Sequence, residues 1–317
     1  MGTPLVSICI PVYNRKDIIL TTVKAALAQD YSNFEVVVSD NNSDDGTFEL
    51  LVEMAQHEPR IQLLRLPENR GPVANWANCF EHSRGEFVKF LWSDDYMAPS
   101  FLSRCMALFS HDVGFVFAKT SLYETDASEP AMCILFEHGD TGWMPSDRYI
   151  KGLVLGNIAQ YPCSGTAALF RRDSVAEALT FQVPNPLALD FSKTGAGPDA
   201  MMFLSAALQY KRVGYCSEIV ARYGTGYGSI SVNEGESLSP YYNTYYTWIV
   251  CAHYPALSSL YKTRLFFSKV FAKKIRVKHQ LNGLFDLIPG SVRWPFFGYL
   301  FWKNLVGYIQ NACRKWL

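Results

Sequence analysis

Close cysteine pairs are missing from this 317-residue chain: its eight cysteines never lie nearer than 26 residues to one another. That spacing excludes a CxxC ligand cluster and reads as reduced, mostly buried thiols of a cytosolic protein. Six histidines (His57, His82, His111, His138, His253, His279) show neither HExxH nor HxH spacing and read as surface or capping residues. No basic run precedes the first apolar stretch, residues 5–12, which Pro11 interrupts. It reads as a buried strand, not a signal peptide. The uncharged stretches 152–170 and 237–261 are dense in Gly, Ser, Asn, Tyr and Pro, too polar for a membrane span. No GxGxxG follows the first strand, which argues against a nicotinamide-dependent oxidoreductase; the GTGYGS run has Ser229 at its third glycine position and opens no βαβ unit. With 49% hydrophobic and 18% charged residues, disorder is excluded too.

What is present is unevenly distributed. The formal net charge is zero, yet residues 261–317 hold eleven basic residues and one acid, Asp286, a net of +10. Residues 1–260 therefore carry a net of −10. An acidic body with a basic tail bears on partners before any motif is read.

The first third alternates strand and helix. Strand-like apolar runs at residues 5–13, 34–40, 61–66 and 86–91 are separated by helical spacings: Ile19, Val23, Ala26, Leu27, then Phe48, Leu51, Val52, Ala55, then a helix over about 72–82. A βαβα pattern of short apolar strands implies a parallel sheet covered on both faces, with the ligand crevice beyond the carboxyl ends of the strands. Those ends are rich in polar residues: Tyr13, Asn14 and Arg15 after the first, Asp40 to Asp45 after the second, Asp94 and Asp95 after the fourth. One acidic end is ordinary helix capping. Two on neighbouring strands repel unless a cation or hydrogen-bond donors hold them, and a hard divalent cation shared with phosphate oxygens is the usual solution.

The segments SICIPVYNR, VVVSDNNSDDGT, NRGPVANW and GEFVKFLWSDD, in this order, resemble the family 2 glycosyltransferases of the GT-A fold, and in particular bacterial surface-polysaccharide glycosyltransferases. The resemblance runs from about Leu5 to Ser231. It implies an α/β GT-A fold, a mostly parallel sheet flanked by helices, with a nucleotide-sugar-binding half at 1–125, an acceptor-binding half at 126–235 and a C-terminal helical, basic and aromatic extension at 236–317. It implies further that Pro11, Tyr13 and Asp40 cradle the nucleotide base, and that Asp94 and Asp95 divide the ribose and a Mn²⁺ or Mg²⁺ on the diphosphate, Trp92 standing where the first acid of the family's DxD usually is. Arg70, in a loop similar to the family's NxGxxxN, would border the donor with Asn75 nearby. The local reading of that loop is a glycine turn opening a helix. Asp199 falls where the family keeps its catalytic base, with Pro198 in place of the usual Glu; a Pro-Asp pair also suits any first helical turn. Where the family often has a metal-binding His, this chain has Gly226.

The implied activity is inverting transfer of a sugar from a nucleotide-sugar donor to a hydroxyl of a glycan acceptor, lipid-linked, in cell-surface polysaccharide assembly. A catalytically silent nucleotide-sugar or glycan-binding module of the same fold is the alternative. The aromatics of the middle region (Phe136, Trp143, Tyr149, Tyr161) fit a sugar-stacking surface or plain core.

The tail adds a partner. Thirteen aromatic residues accompany its eleven basic ones. Lys262, Lys269, Lys273 and Arg276 share one face of a helix while Phe267, Val270, Phe271 and Ile275 share the other, with Lys274 and Lys278 left to snorkel. A second apolar run, 294–309, is broken by Lys303 and Asn304 and is too short to span. These features predict a protein peripheral to the cytoplasmic leaflet, on an anionic membrane surface, with no nucleic acid partner.

Overall fold

The computed structural model describes residues 2–123, 133–156, 160–180, 183–224 and 235–289. The chain divides into two compact units, the first formed by Met1–Leu153, Asn157–Phe181 and Asp190–Asn233, the second by Val154–Gly156, Gln182–Leu189 and Glu234–Leu317.

The first unit is built on a mixed sheet. β1 (Val6–Val12), β2 (Phe34–Asp40), β3 (Ile61–Arg65) and β4 (Phe87–Phe90) run parallel in the order β3-β2-β1-β4. Every residue of β1, β2 and β4 is buried, as expected of strands covered on both faces. Between them lie α1 (Ile19–Leu27), α2 (Thr47–His57) and α3 (Pro72–His82), α3 packing over β1 and β2.

Beyond β4 the sheet, whose longest ladders are parallel, takes in short antiparallel strands. After β5 (Tyr96–Met97) and α4 (Phe101–Met106) come β6 (Val113–Tyr123), β7 (Cys133–Leu135), β8 (Gly142–Pro145), α5 (Ser146–Val154), β9 (Ala168–Arg171), α6 (Arg172–Val175), α7 (Pro198–Gln209) and β10 (Arg212–Gly224). The order continues β4-β9-β6-β10-β5; β9 is antiparallel to both β4 and β6, β5 and β8 are antiparallel to β10, and only β6 with β10 is parallel. The antiparallel strands β5, β7, β8 and β9 are only two to four residues long, and they come from the irregular stretch that follows β4.

Phe136, Tyr149 and Tyr161 are buried core residues here, while Trp143 is 51% exposed. His138 is half-buried: its ring packs among Tyr161, Tyr215 and Phe117 at centroid distances of 4.9, 5.2 and 5.6 Å, and burial pulls its pKa down.

The second unit is helical: α8 (Ser239–His253), α9 (Ser258–Phe271) and α10 (Ile275–Leu287) pack on one another around Tyr245, Ile249, Tyr261, Leu265, Leu281 and Leu284. The single amphipathic helix read through residues 262–278 is two helices, because Ala272 and Lys274 adopt extended backbone. The break folds α9 against α10, burying Leu265 and Phe267 of the one and Val277, Leu281 and Leu284 of the other, while Val270 and Ile275 of the expected apolar face are left exposed. Lys262 closes the hairpin through a 3.1 Å hydrogen bond to the Ile288 carbonyl and its approach to the Phe285 ring. The run 294–309 and the Gly226 position lie outside the described residues.

Candidate active site

Strand order β2-β1-β4 makes the gap between β1 and β4 the switch point of the parallel half, where such sheets hold ligands. Pro11 sits at that gap. The Cys9 carbonyl accepts from Leu91 on the β4 side and the Val12 carbonyl from Asn41 on the β2 side. The intervening Pro11 therefore turns its nitrogen toward the space past the end of β4, where a missing N–H costs nothing. Tyr13 follows, 40% exposed.

The loops after β1 and β2 are fastened together. Asn14, in the left-handed region at φ 49°, donates from its backbone N–H to Ser43 Oγ (2.9 Å) and from its amide to Asp44 (2.8 Å). The backbone N–H groups of Arg15 and Lys16 reach Thr47 Oγ1 and Asp45. The cap-rich run thus serves as a clasp. Inside it Asp40 is fully buried: Oδ2 accepts the Ser43 N–H at 2.9 Å and faces Arg65 Nε of β3 at 3.5 Å, while Oδ1 has no hydrogen-bond partner. Asn75 is buried beside it, its amide bridging the Val12 and Ser39 carbonyls and its own Oδ1 unpartnered. The Arg70 side chain is exposed, and its backbone N–H is held by Asn41 Oδ1 at 3.0 Å. Gly71 needs its φ of 83°, and a Cβ there would press within 2.6 Å of the Ser192 carbonyl oxygen.

At the end of β4 the two carboxylates part company. Asp95 is 5% exposed, with Oδ2 accepting from the Thr166 hydroxyl and Oδ1 from the Gly224 N–H at 2.8 Å. Asp94 is half-buried. Burial, and for Asp95 also the neighbouring Asp94 charge, push both carboxyls up; the charge of Arg15 eases Asp94 and the Thr166 and Gly224 bonds ease Asp95 without reversing the shift. Thr22 of α1 anchors the turn from below by donating to the Ser93 and Asp95 carbonyls. Gly224 packs so tightly that a Cβ would run into the Asp94 carbonyl oxygen.

Behind this turn lies Lys89, wholly buried in the middle of β4. Its Nζ donates to the carbonyls of Gly165 and Thr166 and sits 4.2 Å from the centre of the Phe101 ring; burial pulls its pKa down to about 7. A lone lysine in the apolar strand FVKF was a readable signal that something buried must accept its protons.

Asp199 opens α7, buried at 8% exposure, with Oδ1 accepting the N–H groups of Gly197 (3.0 Å) and Ala200 (2.7 Å). Tyr223 of β10 donates from its hydroxyl to the Ser164 carbonyl, and its pKa is pushed well up by burial and by the charges of Asp95 and Asp199. Trp92 Nε1 donates to Ser164 Oγ at 2.7 Å and its ring lies 4.6 Å from that of Trp76, against which Gly195 is pressed. Asp94 and Asp95 thus occupy the turn after β4 and Asp199 the start of α7, while Asp40, Asn41 and Asn75 cluster past the ends of β1 and β2. Arg65, Lys89, Thr166 and Tyr223 escaped sequence reading, since each acts through a partner distant along the chain.

No group of three or more His, Cys, Asp or Glu side chains gathers among the described residues in a way that would hold a metal ion unaided. The donor chemistry fits a cation that would take most of its oxygens from a diphosphate, with Asp94 or Asp95 as the protein carboxylate.

The chain was compared with known proteins. The glycosyl transferase family 2 profile matches residues 7–179. The putative teichuronic acid biosynthesis glycosyltransferase TuaG of Bacillus subtilis is 32% identical over 126 residues, 39% of this chain and 50% of that protein. The GalNAc(5)-diNAcBac-PP-undecaprenol beta-1,3-glucosyltransferase of Campylobacter jejuni is 31% identical over 115 residues, 36% of this chain and 37% of that one. The chain thus spans half or less of the length of these curated relatives. Among solved structures, S. aureus TarS 1–349 with UDP-GlcNAc superposes with a TM-score of 0.66 at 19% identity, covering 90% of this chain and 81% of TarS. The mannosyltransferase PcManGT of Pyrobaculum calidifontis with GDP-Man and Mn²⁺ gives 0.54 at 16%, covering 99% and 87%. The shared fold is GT-A.

Proposed function

The chain belongs to glycosyl transferase family 2, and from that membership we propose that it is an inverting glycosyltransferase, moving a sugar from a nucleotide-sugar donor to a hydroxyl of a glycan acceptor in cell-surface polysaccharide assembly. The observation that supports this reading is the set of acids themselves: the half-buried Asp94 beside the buried Asp95 after β4, and the buried Asp199 at the start of α7. Asp40, Pro11 and Tyr13 receive the nucleotide base, Arg70 borders it, and Asp94 meets the diphosphate. A bound Mn²⁺ or Mg²⁺ supplies Lewis-acid stabilisation of the leaving diphosphate; Mn²⁺ accompanies GDP-Man in PcManGT.

Asp199 accepts the proton of the acceptor hydroxyl as its oxygen attacks the anomeric carbon. The bond from that carbon to the diphosphate oxygen breaks, the nucleoside diphosphate leaves, and one displacement inverts the configuration. The two N–H bonds to Asp199 Oδ1 orient the carboxylate. Asp95 positions the turn that carries Asp94.

Residues 1–125 make the donor half, 126–235 the acceptor half, and 236–317 a membrane-associating region. The Campylobacter relative acts on an undecaprenol-linked glycan by its name, and the net +10 of residues 261–317 supports a peripheral position on the inner leaflet beside such a lipid-linked acceptor. Trp92, in place of the family's first acid, favours a second reading, a silent nucleotide-sugar-binding module. The test is nucleoside diphosphate release from a panel of UDP, GDP, CDP and dTDP sugars with and without Mn²⁺. Metal-dependent release from one donor supports the enzyme; binding seen as a thermal shift with no release under any metal leaves the module.

A further inference from the structure

The break that splits α9 from α10 creates a corner with an unusual surface. Val270, the last but one residue of α9, is 49% exposed, and Ile275, the first of α10, is 72% exposed. Among the described residues four large hydrophobic residues are at least 49% exposed, and Ile275 is the most exposed of them. An isoleucine needs no partner to be tolerated on a surface. Its neighbours are what give it meaning. Five of the seven basic residues between 258 and 289 fall within the ten residues 269–278: Lys269, Lys273, Lys274, Arg276 and Lys278. Lys273, Lys274 and Arg276 are exposed, and no acid lies within this stretch.

The same residues on an ordinary solvated face would alternate with acids, since like charges this close repel and natural surfaces relieve the repulsion. Here no acid is interleaved with them along residues 269–278, and at the tip stands an apolar side chain that water gains nothing by contacting. A bilayer with anionic headgroups answers both features at once. The lysines and arginine meet the phosphates, and Val270 and Ile275 enter the boundary between headgroup and acyl chain. An acidic protein or RNA would answer the charge but would leave Ile275 in water.

We propose that the α9–α10 corner is a membrane-docking wedge, in which Val270 and Ile275 insert into an anionic leaflet and Lys269, Lys273, Lys274, Arg276 and Lys278 form the collar that holds them there. This deepens the peripheral location proposed above and rests on it. No helix of the described residues is long and apolar enough to cross a membrane, so docking by a corner is the mode these helices permit.

The test is co-sedimentation of the full chain with vesicles of phosphatidylcholine alone and of phosphatidylcholine mixed with phosphatidylglycerol. The wild type pellets with the anionic vesicles, is released as salt is raised, and stays in solution with the neutral ones. Reversing three charges (Lys273→Glu, Lys274→Glu and Arg276→Glu together) lowers partition by about a hundred-fold or more, given the attraction of each basic residue to an anionic surface. Ile275→Glu lowers it by roughly ten-fold through lost insertion. All four positions are exposed, so both variants keep the wild-type thermal midpoint, and both keep the rate of nucleoside diphosphate release to water. Wild-type protein that stays in the supernatant with anionic vesicles overturns the wedge. So do variants that pellet like the wild type, and so does capture by RNA or polyglutamate that survives Ile275→Glu while vesicles are ignored. Vesicle binding without donor turnover would sink the enzyme reading and leave the wedge; the reverse outcome would do the opposite.

Discussion

The two ends of the parallel strands treat buried carboxylates in opposite ways. At the amino ends Glu35 of β2 is surrounded by donors: the Ser7 hydroxyl at 2.7 Å, the Arg84 N–H at 2.6 Å and the Arg84 guanidinium at 2.6 Å. Burial raises its pKa, and those bonds outweigh burial and hold it below its ordinary value. The Ser7 hydroxyl also accepts the Gly85 N–H, so the network stitches β1, β2 and the approach to β4. At the carboxyl ends Asp94 and Asp95 are left above their ordinary values, short of compensating charge, although Lys89 lies behind them. One end satisfies its charge internally and is structure. The other holds two carboxyls whose ionised forms burial disfavours, a perturbation of the kind that makes a turn a candidate site.

The sharpest way to separate the two ends is to remove single carboxylates. Asp199→Asn keeps an oxygen for Gly197 and Ala200 but cannot take a proton, so transfer falls by about a hundred-fold or more while donor binding, read as a thermal shift, stays within about two-fold. Undiminished transfer would move the base elsewhere.

Glu35→Ala should do the reverse. It leaves the Ser7 and Arg84 donors without their acceptor and costs roughly 2–3 kcal/mol in urea unfolding. The figure is kept low because the Arg84 side chain is 76% exposed and its ion pair is screened. Nucleoside diphosphate release at low temperature should not change, and a loss of turnover in the folded variant would break the division of labour between the ends.

A smaller effect is expected for Asp94→Asn, which lowers metal-dependent donor affinity by roughly ten-fold with little change in stability. Asp95→Asn should weaken the fold as well, because both its oxygens are bonded. Equal metal response in wild type and both variants would remove the cation from this turn.

The subtlest contrast is with pH. Glu35, lowered in the folded state, contributes stability above its ordinary pKa that is lost as pH falls through its folded value. Asp94 and Asp95, raised, contribute stability below the ordinary carboxylate range that is lost as pH rises through theirs. Urea midpoints across the acid range should therefore decline less steeply toward low pH in Glu35→Gln, and less steeply toward neutral pH in Asp94→Asn. Unaltered slopes in both would contradict the assignment of opposite signs.

The sequence alone carried the βαβα alternation, the extents of α1 to α3 and the acids at the ends of β2 and β4. Each follows from spacing within a dozen residues, where apolar period and turn chemistry act locally. It also carried the charge asymmetry and so the membrane reading of the tail. Tertiary structure decided the rest. Asp40 acquires Arg65 from the next strand, Asp95 acquires Thr166 and Gly224, and Lys89 acquires carbonyls 76 and 77 residues away. The antiparallel insertion of β9 and the break at residues 272–274 arise because each lets a second apolar surface be buried, a gain that exists only once the partner element is in place. Local chemistry chose which residues stand at the strand ends; only the fold determined which of their charges would be answered from within.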